Sequence, residues 1–206
     1  MITIQLLDSV GVIESKINES VQKHMNDLIF RRKSRLRQAV LKNVEEWVYT
    51  QPEIIALKDN SLAAQLGLPL GTASSVSERI VSSVVNATEF EVKRFDKRLG
   101  GGITFRFQPD NFANLLALDA GHVVTELDKD LHWLRWLLKE GHKTIVVGYQ
   151  FVPNNAGRSG GGVMGKGRSW RIPPQFAGTE EDNFITRAFS GREKQLEKLF
   201  ADILSG

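Results

Sequence analysis

The sequence predicts an α+β fold: a small, mainly antiparallel sheet flanked by a long N-terminal helix and a C-terminal helix. Three observations predict it. Apolar residues recur at three- and four-residue steps from Val10 to Val48, the period of a helix with one buried face. In the middle, Phe90-Glu-Val92-Lys and Ile103-Thr-Phe105-Arg-Phe107-Gln alternate apolar with polar residues, the two-residue period of half-buried strands. Towards the C-terminus, Phe184, Ile185, Ala188 and Phe189, then Leu196, Leu199, Phe200 and Ile203, return to helical spacing.

The first element carries Val10, Ile13, Ile17, Val21, Met25, Leu28 and Ile29, then Leu36, Val40, Leu41, Val44, Trp47 and Val48, and stops at Pro52. A run of about 40 residues exceeds an ordinary globular helix. It either breaks at Arg31, Arg32, Lys33, Arg35 and Arg37 or forms one arm, with the basic cluster an exposed stretch of it. Residues 1–52 therefore read as an N-terminal helical arm and 53–206 as an α+β domain, together one structural unit. A short helix is expected over Glu53–Leu66, stopped by Gly67 and Pro69. Thr72–Ser83 suits either a helix or a strand.

Phe90–Lys93 and Ile103–Gln108 form a hairpin around the charged, glycine-rich reversal Asp96-Lys-Arg-Leu-Gly-Gly-Gly102, with Ile103, Phe105 and Phe107 facing a core. Short helices follow at Phe112–Ala120 and Asp128–Glu140, the second closed by Gly141 as a helix-ending residue. Thr144–Phe151 is apolar on both faces, as a strand central in a sheet is. Residues 153–169 hold Gly157, Gly160, Gly161, Gly162, Gly165 and Gly167 and read as a long loop that orders on assembly. Pro173-Pro174 fix its exit. The last helix is expected to start at Thr179, which can cap the amide of Asp182, with a kink at Ser190-Gly191.

The composition limits the function. The chain has 206 residues, 41% apolar and 25% charged, with no cysteine and a net charge of +3. Disulfides, thiolate nucleophiles and zinc–thiolate sites are excluded together, and a reducing cytoplasm suits such a chain. Met1–Asp8 lacks the pattern of a signal peptide, and no run approaches the apolar length of a membrane span. The charge is unevenly spread: Arg158, Lys166, Arg168 and Arg171 lie in a stretch without acids, whereas Glu180, Glu181 and Asp182 gather just beyond it. Separated patches of opposite sign can meet another copy or a neighbour in one orientation.

No motif carries catalysis. Gly160–Lys166 fits the G-x-x-x-x-G-K part of a phosphate loop, but Gly167 stands where the metal-binding hydroxyl belongs. The sequence after it cannot begin the helix such a site needs. His24, His122, His132 and His142 lack metal-ligand spacing. Ser159 and Ser169 lack the nucleophile-elbow context. Asp128 and Asp130 do not face each other on a helix. No cofactor and no metal are expected. Arg31–Arg37 can grip phosphates, which leaves a DNA-binding accessory protein as the alternative reading. Trp133, Trp136 and Trp170 read most simply as core, with an interface anchor the alternative for some of them.

Trp133-Leu-Arg-Trp-Leu-Leu-Lys-Glu-Gly141, Ile145-Val-Val-Gly-Tyr149, Trp170-Arg-Ile-Pro-Pro174 and Phe176-Ala-Gly-Thr-Glu-Glu-Asp-Asn-Phe-Ile-Thr-Arg-Ala188 follow one another around the glycine-rich loop. This C-terminal third resembles virion structural proteins of tailed bacteriophages. The order of parts is similar to that of the neck or tail-completion proteins that join head to tail; tail terminators and collar proteins share the outline. The resemblance implies a ring-forming, non-catalytic subunit in the virion, made in the host cytoplasm. Its partners would be its own copies and neighbouring connector and tail proteins, with incidental DNA contact and no membrane. On that reading Arg158, Lys166, Arg168, Trp170, Arg171, Glu180 and Glu181 lie at the subunit interface.

Overall fold

The computed structural model describes residues 8–109, 111–124, 130–154 and 156–206. Helix α1 runs without a break from Val10 to Tyr49. No glycine or proline falls between Val12 and Thr50, so nothing in the backbone interrupts the ladder. At 1.5 Å per residue the helix is about 60 Å long. The basic cluster does not surround it with charge, because Leu36 is wholly buried within the cluster.

The fold is α+β, with three two-stranded antiparallel sheets among the described residues. The chain divides into two compact units, Met1–Val40 with Glu89–Arg106 and Glu193–Gly206, and Leu41–Thr88 with Phe107–Arg192. This division differs from an arm followed by a domain at residue 52: α1 contributes to both units.

In the first unit, β1 (Glu89–Lys93) pairs with β2 (Gly102–Arg106), setting Phe90 opposite Phe105 and Val92 opposite Ile103. The expected hairpin is found with Ile103 and Phe105 on its inner face, but β2 ends at Arg106, so Phe107 and Gln108 lie beyond the strand, in the second unit. Phe105 meets Phe90 at 4.7 Å and stacks on Phe200 at 5.6 Å between ring centroids. Phe200 belongs to the C-terminal helix Glu193–Ser205. Aromatic pairs of this kind add about 0.5–1.5 kcal/mol beyond their buried area. The hairpin is also tied to α1: Gln22 and Asn26 both donate to the Phe95 carbonyl at 3.0 Å, and Asn26 accepts from the Phe95 amide at 2.9 Å.

In the second unit the end of α1 is followed by α2 (Pro52–Lys58), α3 (Ser61–Gln65) and α4 (Ala73–Ala87), with α2 packing against both α3 and α4. The expected single helix over 53–66 is two, because Asn60 takes φ 68° between them. The ambiguous segment from Thr72 is helix: Val76, Ile80, Val81 and Val84 bury one face. After α5 (Ala113–Leu116) and a 3-10 turn (Asp119–Gly121), β3 (Val123–Val124) pairs with β4 (Asp130–Leu131). The helix expected from Asp128 is confined to α6 (Leu134–Leu138); Asp128 itself lies outside the described residues. Trp133, Leu134, Leu137 and Leu138 are wholly buried, with Ile54, Leu57, Leu115 and Phe184.

The C-terminal helix is broken, not kinked, into α7 (Phe184–Phe189) and α8 (Glu193–Ser205). It begins at Phe184 instead of Thr179. Asn183 caps it, accepting from the amides of Ile185 and Thr186, while Thr186 Oγ1 accepts from the Asn183 amide, a reciprocal capping box. Thr179 does accept from the Asp182 amide at 3.1 Å, but closes a turn ahead of the helix. Gly178 hydrogen-bonds the Trp136 carbonyl, and a Cβ there would lie 1.9 Å from the Leu137 carbonyl oxygen. Only glycine permits this close approach.

Candidate assembly surface

Two expectations about residues 144–170 are overturned. Thr144–Phe151 is not a central strand, and 153–169 is not mainly a loop. The strands β5 (Val146–Pro153) and β6 (Gly162–Trp170) form an antiparallel ribbon, and among the described residues each pairs only with the other. The glycine-rich segment is thus the strand partner of the β-branched one. Glycine suits it because Gln150 leans across it: a Cβ on Gly167 would come 2.5 Å from Gln150 Cγ. A bulge between Val147 and Tyr149, with Gly148 at φ 83°, offsets the register.

The ribbon is held at both ends within its own unit. At its base Trp170 is buried and Ile172 is wholly buried. At its turn the Arg158 guanidinium donates to the carbonyls of Gly67 (2.9 Å) and Val124 (3.2 Å), and the Leu70 amide donates to the Arg158 carbonyl (2.9 Å). Ser159 is buried, and its carbonyl accepts from Asn60 at 3.2 Å. The described residues of the turn are held by hydrogen bonds within this chain.

Between these anchors the ribbon is open. Val147 is 78% exposed, and Tyr149, Val152, Val163 and Met164 are also exposed. Lys166, Arg168 and Arg171 stand beside them, exposed, with no ion pair among the described residues. From Gly141 to Thr179 the chain has no acid. Apolar side chains rimmed by one sign of charge, on strands whose outer edges have no strand partner among the described residues, make a surface suited to protein contact.

The sequence-derived interface residues therefore divide. Lys166 and Arg168 share the open ribbon, and Arg171, exposed, follows its base directly after β6. Trp170 does not: it is the ribbon's buried anchor, because its ring fills the base of the hairpin. Arg158 is engaged internally by two carbonyls. Glu180 pairs with Lys139 at 3.0 Å, while Glu181 is exposed. Of the phosphate-contact candidates, Arg32 donates to the Ile203 carbonyl and the Lys33 ammonium lies 5.8 Å from the centre of the Phe90 ring. Arg31, Arg35 and Arg37 are exposed.

Gly160–Lys166 runs through the ribbon turn into β6 and continues as strand, not as the helix that a phosphate loop opens. The structure brings His122 and His132 together, stacked at 3.9 Å, with His122 Nδ1 2.9 Å from an Asp130 carboxylate oxygen. Sequence spacing missed this pair, because a short β3–β4 hairpin joins residues ten apart. Burial, followed by the charge of His122, holds His132 below the ordinary histidine value. Among the described residues no three histidine or carboxylate side chains gather as a metal-binding group, and no helix is long and apolar enough to cross a membrane.

The large apolar side chains missed by sequence reasoning are Val147, Tyr149, Val152, Val163 and Met164. The available signal was the run of glycines opposite them, which cannot supply the side-chain cover a central strand needs. No family model, curated protein or solved structure matches this chain.

Proposed function

We propose that this chain is a structural subunit of a tailed-phage virion, a neck or tail-completion protein that joins head to tail as part of an oligomeric ring and catalyses no reaction. The observation that carries the reading is the β5–β6 ribbon, anchored at both ends yet with outer edges that have no further strand partner among the described residues, with Val147, Tyr149, Val152, Val163 and Met164 exposed. Such edges are completed by another strand, and the apolar side chains then supply the area that stabilises the contact. Lys166, Arg168 and Arg171 would meet acids of the neighbour, Glu181 among them. The resemblance in the C-terminal third supplies the virion context, and with it localisation in the particle.

The test is the mass of the purified protein by light scattering, alone and with neighbouring virion proteins. A ring-sized assembly that Val147→Asp or Arg168→Glu reduces to monomer supports the proposal. A wild-type monomer in both settings, or an assembly indifferent to both substitutions, contradicts it.

The second reading, a DNA-binding accessory protein acting through helix residues 31–37, is favoured only by the exposure of Arg31, Arg35 and Arg37. Arg32 is engaged by the Ile203 carbonyl within the first unit, which removes one of the five cations that reading needs.

A further inference from the structure

The first unit carries fourteen lysines and arginines against ten acids, the second thirteen against fourteen, so the chain's positive excess sits in the first. Its densest exposed part is not the helical cluster. It is the turn joining β1 to β2, where Lys93, Arg94, Lys97 and Arg98 fall within six residues and all four are exposed. None of them is in an ion pair among the described residues.

The turn is built to hold these cations in place. The Asp96 amide donates to the Gly100 carbonyl at 3.0 Å and the Leu99 amide to the Asp96 carbonyl at 2.9 Å. The Asp96 carboxylate accepts from the amides of Arg98 (2.8 Å) and Gly100 (2.9 Å). Those amides, with Arg98 and Lys93 nearby, keep it below the ordinary aspartate value. The turn's one acid is thus spent on its own backbone. Gln22 and Asn26 clamp Phe95 to α1 at the turn's start.

We propose that this hairpin turn is a contact for the phosphate backbone of duplex nucleic acid, made by Lys93, Arg94, Lys97 and Arg98. The inference is independent of the assembly reading and uses a different unit of the chain. Six extended residues span at most about 20 Å, and a duplex carries a charge every ~1.7 Å of its axis. Several phosphates therefore lie within reach of one turn, and a two-stranded antiparallel ribbon fits the major groove. The surroundings separate this partner from an acidic protein. The β5–β6 ribbon mixes its cations with five exposed apolar side chains, whereas here Leu99 alone is exposed. A surface with charge and little apolar area gains affinity by releasing counterions, not by burying area. The contact reads no sequence, since phosphate contacts position and do not specify.

The experiment is fluorescence anisotropy of a short labelled DNA duplex with the full-length protein across a salt series. Wild type is expected to bind with affinity falling steeply as salt rises. Lys93→Gln, Arg94→Gln, Lys97→Gln and Arg98→Gln combined should lower the salt slope by about 3 to 4 with an unchanged melting temperature, and Lys93→Arg with Lys97→Arg should retain binding. Arg31→Gln, Arg35→Gln and Arg37→Gln combined should retain most of the slope. The proposal is overturned if wild type fails to bind, if the helix variant loses binding while the turn variant keeps it, or if polyglutamate competes as well as unlabelled duplex.

Discussion

Arg187 donates through Nη2 to Oε1 of Glu53, an ion pair that closes 134 residues of sequence around a glutamate with no exposed surface. Nη1 of the same guanidinium pairs with Asp182 at 2.6 Å. Glu53 Oε2 has no hydrogen-bond partner among the described residues. Burial pushes the Glu53 carboxyl above the ordinary value of 4.5, and Arg187 only partly offsets it. Removing Arg187 leaves a buried charge uncompensated. Arg187→Ala is expected to cost about 3 kcal/mol, the low end for a broken buried pair because the guanidinium is 37% exposed. Denaturant unfolding measures it.

The same group sets a pH dependence. The folded state holds its proton to higher pH than the unfolded state does. Glu53 therefore favours the fold most below about 4.5, and that contribution is lost as pH rises from there through its raised folded value. Glu53→Gln should remove this fall. The comparison is thermal unfolding of wild type and variant from acid to neutral pH, with the difference between them growing as pH rises.

His132 acts with the opposite sign. Its folded value lies below 6.5, so the unfolded chain takes up a proton first and stability drops as pH falls below that value. The groups facing it are His122, Asp130 and Arg135. His132→Phe keeps the stacked ring and loses the proton site. Its melting temperature should therefore decline less than wild type between neutral and mildly acidic pH.

Asn183 is expected to be the least replaceable cap. Its Oδ1 accepts two amides of α7, while Nδ2 donates to the carbonyls of Leu138 (3.3 Å) and Thr179 (2.8 Å). Asn183→Ala should cost about 2 kcal/mol, the upper range for a lost cap. Asn183→Asp, ordinarily a good cap, should be worse at neutral pH, because a buried carboxylate would face those two carbonyls. Equal stability of the aspartate variant and wild type would contradict this arrangement.

Much of the fold is legible in the sequence, and the reasons are local. The spacing of Val10 to Val48 and the alternation around Phe105 need no tertiary knowledge, because one helix face or one strand face is buried. Asn183 escaped notice because Thr179 offers the same capping chemistry four residues earlier, and only the close packing of Gly178 on Leu137 pushes the helix start onward. The ribbon was misread in both halves. Val146 to Phe151 has the composition of a buried strand, while Gly160 to Gly167 has that of a loop. Their pairing is a non-local fact that neither segment announces. The interface candidates fared accordingly. Lys166 and Arg168 lie on the open ribbon and Arg171 just past its base, whereas Trp170 and Arg158 hold it in place. A tryptophan that anchors a core and one that anchors an interface look alike in sequence.

The absence of cysteine allows a direct test of the central claim, that the open ribbon is covered by another protein molecule in the assembled state. A single thiol introduced by Val147→Cys reports on its most exposed position. Its alkylation rate would be compared in assembled particles and in protein dissociated from them. The account expects rapid alkylation of the dissociated protein and at least about tenfold protection in the particle, a change equivalent to about 1.4 kcal/mol. Equal rates in the two states would contradict it.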